Sequence, residues 1–169
     1  MPDSTVKPHA APAEAYRCAL GQFPTGVCLV SARGLDADPD PFAITVSSFV
    51  SVSLEPPLVS WCLQHDSSSF PLWAATERFA ISVLTAHQQH LCDHFAQRGN
   101  HIIGDLPHFV TSPEGNPWVR NACANFDAEV SARFDAGDHE IIVAKVCHFE
   151  SNPDRSPLIY HQGRVRASS

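Results

Sequence analysis

No two cysteines in this chain stand at C-x-x-C spacing; the six, at 18, 28, 62, 92, 123 and 147, lie far apart. That excludes a zinc knuckle and a redox dithiol, and leaves reduced thiols, most of them expected to be buried. Basic residues are scarce, with 11 Lys and Arg against 18 Asp and Glu and a formal net charge of -7. A nucleic-acid surface would need a basic patch to meet phosphates, so no nucleic-acid partner is expected. No apolar run reaches membrane-span length, and the opening MPDSTVKPHAAPAEAY has no apolar core of signal-peptide length. Neither a membrane span nor export is expected, and the cytoplasm is the expected address. Also missing are a G-x-S-x-G elbow, an H-E-x-x-H pair, a P-loop and a strand-coupled G-x-G-x-x-G. Without them no serine stands out as a nucleophile and the usual nucleotide-binding turns are closed. A small molecule or another protein is the expected partner.

What is present fits one domain, since 169 residues can build a real core. Residues 1–12, rich in Pro, Ala and polar side chains, read as a flexible N-terminal arm, 13–166 as the domain and 167–169 as a tail. The spacing of Tyr16, Leu20 and Phe23 predicts a helix from Ala13 to Phe23, closed by Pro24. Strands are predicted over Gly26 to Ala32, Phe42 to Phe49, Leu58 to Leu63, Arg78 to Leu84, Val119 to Phe126, Ala128 to Asp135, His139 to Phe149 and Leu158 to His161. Helices are predicted over Ser67 to Thr76, with a serine at its cap, and from His87 to Arg98. Gly99 to Gly115 lacks a period and reads as an ordered loop. Strand-rich order without a βαβ rhythm points to a mainly β fold with flanking helices, an antiparallel barrel.

Two features carry chemistry. His87, His90 and His94 stand three and four residues apart, as a metal clamp would require. With Leu91 and Phe95 forming a core stripe beside them, the reading preferred is solvated helix-edge histidines, and no metal is expected. The second feature is hydroxyl clustering, TVSSF at 45–49 and SSS at 67–69. Hydroxyls and backbone N–H groups at a strand end or helix start hold an anion without many lysines, which suits an acidic protein. Plain capping and a half-buried strand face explain the same residues.

Longer stretches add to this. FPTGVCLVSARG at 23–34, ITVSSFVSVSLEPPLVSWCL at 44–63, RFAISVL at 78–84, AGDHEIIVAKV at 136–146 and PLIYHQGRVR at 157–166 resemble the flavin reductase family, in the family's order and over nearly the whole domain. The resemblance implies an FMN-binding split barrel, a homodimer with flavin sites near the subunit interface, and NAD(P)H-dependent reduction of FMN or FAD. It implies that Thr45, Val46, Ser47 and Ser48 line the flavin, and that Ser67, Ser68 and Ser69 with Arg98 hold its phosphate. Thr25 and Gly26 would lie near the ring system. His139, in the intact turn Gly137-Asp138-His139, would sit beside the nicotinamide of NADH or NADPH.

The family implies that reduced flavin leaves for a partner monooxygenase. Two other readings stand beside it: a flavin-binding carrier or adapted subunit that is not a reductase, and a flavoprotein passing electrons to another acceptor. Two segments depart from the family pattern. After Arg98-Gly99, where many members have x-Asp-Lys/Arg-Phe, this chain has Asn100-His101-Ile102-Ile103. Where members often carry Trp-Leu-Glu-Cys it has Asn125-Phe126-Asp127-Ala128. Any 2′-phosphate of NADPH would look to Arg33, Arg98, Arg133, Arg164 or Arg166.

Overall fold

The computed structural model describes residues 13–167, so the arm expected at 1–12 and the last two residues of the expected tail lie outside the described residues. The chain opens with α1 (Ala13–Leu20), then β1 (Thr25–Gly26), β2 (Cys28–Ala32), β3 (Phe42–Val46), β4 (Val50–Leu54) and β5 (Pro57–Gln64). Next come α2 (Phe70–Ala74), β6 (Arg78–Val83), a 3₁₀ turn at Ala86–Gln88 and α3 (Gln89–Phe95). The second half is β: β7 (Phe109–Thr111), β8 (Pro117–Val119), β9 (Ala124–Ala136), β10 (His139–Ser151), β11 (Leu158–His161) and β12 (Arg164–Ala167).

Seven strands pair antiparallel in the order β3-β2-β6-β9-β10-β5-β4. The two edge strands, β3 and β4, are consecutive in the chain and separated by Ser47, Ser48 and Phe49 alone. Three residues reach roughly 10 Å, so the sheet has to curl until its edges nearly meet. It becomes a barrel split along the β3–β4 line. The hydroxyl of Ser48 spans the split, accepting the Cys62 N–H of β5 at 2.9 Å.

Alternation along the strands makes two apolar layers. Val30, Phe42, Trp61, Phe79, Ile81 and Ile142 fill the barrel, all with at most 1% of their surface exposed. Leu29, Ala43 and Leu84 face outward and are covered by Leu91, Cys92 and Phe95 of α3. Trp73 of α2 packs edge-on against Phe42 and Trp61, at 4.7 and 5.2 Å between ring centres. That anchor fixes α2, and with it the serines that precede it.

Several sequence expectations are corrected. The first helix stops at Leu20, because the chain turns at Gly21, whose carbonyl accepts the Gln162 N–H at 2.8 Å. Its apolar side is not core: Tyr16, Leu20 and Phe23 are exposed. The strand predicted to Phe49 ends at Val46, where the barrel splits. The helix predicted from His87 to Arg98 is a 3₁₀ turn followed by Gln89–Phe95, leaving Arg98 beyond its end. The two strands predicted between Val119 and Asp135 are one, β9, which pairs with β10 through bulges at Val143/Ala144 and Val146/His148. The expected tail begins inside β12, which pairs with β11. The expected burial of most thiols fails, since only Cys28 and Cys92 are buried; Cys18 and Cys147 are exposed.

Candidate functional site

Along β3, Ala43 and Thr45 face outward, and beyond the strand's end Ser47 stands exposed at the split. This outer face forms the floor of a groove of about 390 Å³. The groove's walls are the segment before α2, the segment after α3 and the tip of the β9–β10 hairpin. Thr45, Val46, Ser47, Ser48, Ser67, Ser68, Ser69, Arg98 and His139, separate in sequence, all line it. Its size falls within the usual range of small-ligand sites.

Each element delivers its residues for a physical reason. Gly137, at φ +67°, takes the left-handed turn that closes β9 on β10. Because β10 pairs with β5 in the register His139↔Gln64, the turn delivers His139 to the groove beside β5. The backbone N–H of His65 donates to the Asp138 carbonyl at 3.0 Å and pins the turn. Asp138 Oδ1 lies 2.7 Å from His139 Nδ1. That hydrogen bond, with the charge of His139, holds the Asp138 carboxyl below its ordinary value.

The hydroxyls divide by what they touch. Thr45 Oγ1 donates to the Cys92 carbonyl at 2.9 Å, fastening β3 to α3. Ser48 is engaged across the split. Ser68 Oγ accepts the Gly99 N–H at 3.1 Å, drawing the segment after α3 toward that before α2. Ser67 and Ser69 hydroxyls lie 3.1 Å apart, and Ser69 stands at the N-cap of α2, where a serine is expected, but makes no side-chain capping bond. Ser47 Oγ has no hydrogen-bond partner among the described residues. Of the three hydroxyl residues in TVSSF it is the exposed one.

A second cavity, of about 660 Å³, meets the first at Ser47 and is lined by Thr25, Leu20, Phe23 and Tyr160 among others. Thr25 Oγ1 is closed off from water without a partner among the described residues. Gly26 lines neither cavity; a Cβ added there would meet nothing within 4 Å. The groove therefore has a polar end, around Arg98, and continues past Ser47 into a more aromatic one. A flavin has the same polarity along its length, an anionic arm on a flat ring system, so these residues fit the group.

Other candidates fall away from the groove. His90 packs on His108, with ring centres 4.8 Å apart, and His94 on Phe95, 4.7 Å apart. Among the described residues no three His, Cys, Asp or Glu side chains gather as a metal site. Arg133 donates to Glu140 Oε2 at 2.7 Å and to the Trp73 and Thr76 carbonyls, so it is unavailable to a phosphate. None of Asn125 to Ala128 lines the groove. Asn125 and Asp127 are buried polar supports, and Asp127 Oδ1 accepts from Ser112 Oγ at 2.9 Å and Asn116 Nδ2 at 2.8 Å. Sequence reasoning missed Gln64, Asp66, Gln97, Asn100 and His101, which line the groove through pairings invisible in a linear chain.

The family model described as flavin reductase like domain matches residues 20–169, and the chain belongs to that family. It is 38% identical over 164 residues to the FMN reductase (NADH) SmoA of Agrobacterium fabrum, covering 96% of this chain and 91% of that protein. The Streptomyces globisporus NADH:FAD oxidoreductase SgcE6, solved with NAD and FAD fragments, superposes with a TM-score of 0.85 at 32% identity, covering 93% of both chains. BorF, the flavin reductase component of a bacterial two-component tryptophan halogenase, gives 0.84 at 34% identity, over 92% of this chain and 98% of that one. The split barrel and its antiparallel sheet are thus those of a flavin reductase. Among the described residues no helix is long and apolar enough to cross a membrane.

Proposed function

We propose that the protein is an NAD(P)H-dependent flavin reductase that reduces FMN or FAD and releases the product to a flavin-dependent monooxygenase. The observation that carries this reading is the convergence of Ser47, Ser67 to Ser69, Arg98 and His139 on one groove at the barrel split, in a chain of this family. Among the described residues Arg98 is the one Lys or Arg lining the groove and Asp66 the one Asp or Glu. A guanidinium beside hydroxyls suits a phosphate, and Ser67 to Ser69 flank it.

Held in this groove, a nicotinamide and a flavin would themselves supply the hydride-transfer chemistry, from dihydronicotinamide C4 to flavin N5. The chain's part is positioning and exclusion of water. Val46 and the backbone at Ser47 and Ser48 would line the ring, with Thr25 beyond it. Asp138 holds the His139 imidazole by Nδ1, leaving Nε2 to meet the nicotinamide. No strong acid or base is needed.

The working unit in this reading is a homodimer. Leu20 at the end of α1, Phe23 just after it, and Val50, Val52 and Leu54 on the edge strand β4 are exposed apolar side chains. A second copy burying them would close the aromatic end of the site. Leu54→Asp should then yield monomers in sedimentation velocity, and an unchanged dimer would move the interface elsewhere. Free thiols at all six cysteines suit a reducing cytoplasm.

The deciding experiment is anaerobic NADH or NADPH oxidation with excess FMN or FAD, followed by nicotinamide absorbance, beside flavin fluorescence quenching. Micromolar flavin binding, about 8 kcal/mol, with steady turnover is expected. Binding without turnover would leave a flavin carrier, and neither would end the flavin reading.

A further inference from the structure

The segment after α3 carries an imidazole to which no role has been given. His101 lines the groove and is partly buried. Its backbone is fixed against the free edge of β3: the Ala43 N–H donates to the His101 carbonyl at 2.8 Å, and the Ile103 N–H to the Pro41 carbonyl at 2.8 Å. Ile102 makes an isolated antiparallel bridge with Phe42. The ring is therefore mounted on the barrel's edge, three residues after Arg98, where this chain departs from the family's acidic residue.

The ring's two nitrogens differ. Nδ1 is closed to water and has no partner among the described residues. A closed-off N–H without an acceptor is rarer in proteins than a bare acceptor, which favours the tautomer with its proton on Nε2. Nε2 is then a donor and the nitrogen left to meet a ligand. The other ionisable groups lining the groove among the described residues are Cys62, Asp66, Arg98 and His139, and His139 is already held by Asp138.

Position along β3 says which part of a flavin this donor would meet. Ala43, bonded to His101, and Ser47, at the junction with the aromatic cavity, are four residues apart, about 13 Å along a strand. A ring system at the Ser47 and Thr25 end places the anionic arm toward Arg98, Ser68 and His101. We propose that His101 Nε2 donates a hydrogen bond to the flavin phosphate, as a phosphate-binding residue beside Arg98 and the serines. This inference rests on the flavin reading above.

The test is fluorescence-quenching titration of FMN and of riboflavin, which lacks the phosphate, on the full-length protein and on His101→Ala, with thermal melts alongside. FMN affinity should fall about tenfold in His101→Ala and riboflavin affinity should stay within twofold. His101→Gln, whose amide nitrogen reaches near the Nε2 position, should recover FMN binding to within about threefold of wild type. His101→Asn, whose amide stops short of it, should lose FMN as alanine does, and serves if the alanine variant melts early. Equal loss of both ligands, or unchanged FMN binding with wild type binding normally, overturns the role of His101 and leaves the flavin reading standing. A wild-type protein that quenches neither flavin overturns both.

Discussion

Ser47 and Ser48 are adjacent, chemically identical and both line the groove, yet their substitution to alanine should have opposite consequences. Ser48 Oγ accepts the Cys62 N–H at 2.9 Å across the split and lies 3.4 Å from the Cys62 carbonyl. Removing it leaves a backbone amide of β5 without its partner, which costs about 2 kcal/mol. For a chain of this size, that lowers Tm by roughly 4 to 8 °C. Ser47 has no such partner among the described residues and is exposed, so Ser47→Ala should leave Tm unchanged. It should instead weaken FMN by about 1 to 1.4 kcal/mol, roughly fivefold to tenfold. Circular-dichroism melts and FMN quenching on the two single variants read both quantities. If Ser48→Ala melts like wild type while FMN binding collapses, the hydroxyl serves the ligand and not the split, and the division of labour drawn here is wrong. If Ser47→Ala binds FMN normally, the free hydroxyl has no part in the site.

His139→Ala should keep flavin affinity within about threefold but lower kcat/KM for NADH or NADPH by roughly tenfold, because misplacing the hydride donor raises the barrier without touching flavin; a loss of thermal stability with normal turnover would make the turn merely structural. Asp138, held below its ordinary value by His139, should titrate by NMR below the usual aspartate midpoint of about 3.9 and return toward it in His139→Ala. Its contribution to stability is complete above that ordinary value and lost as pH falls through the lowered one, so it is fully present at neutral pH and stability there should not vary with pH through this group. Burial pushes the Cys28 thiol up to about 12 and Cys92 to about 11, so at mildly alkaline pH a thiol reagent should label exposed Cys18 readily and reach Cys28 and Cys92 only after unfolding. Early labelling of Cys28 by mass spectrometry would contradict its place in the core.

The elements that sequence located best are those whose pattern is set by burial on both faces. RFAISV and CLVSA lie where apolar runs bounded by turn residues put them, because the two apolar layers sandwich β6 and β2. The failures have physical causes. Tyr16, Leu20 and Phe23 have helical spacing and predict a helix through Phe23, but spacing reports an apolar stripe and not where the chain turns; the helix ends at Leu20 and all three side chains are exposed. Asn125 and Asp127 stand where the chain departs from the family pattern, but the role of Asp127 as a buried support is set by Ser112 and Asn116 in the β7–β8 hairpin, invisible from a linear reading.

The site itself left one trace in the sequence, and it lies in the stretch Thr45 to Phe49. In a strand with period two, neighbouring side chains point to opposite faces, so Ser47 and Ser48 cannot both lie on the polar side of one continuous strand. The pattern up to Val46 requires Ser48 to enter the barrel, where an unpaired hydroxyl would be costly. The chain resolves the conflict by ending β3 at Val46 and turning Ser48 onto the Cys62 amide. Ser47 is left uncommitted at the place where both sheet edges, two cavities and the hairpin tip come together. A pair of adjacent polar residues breaking an alternating strand is thus a signal of where a barrel opens. What the opening holds depends on residues such as Arg98, His101 and His139, which only the folded sheet brings to it.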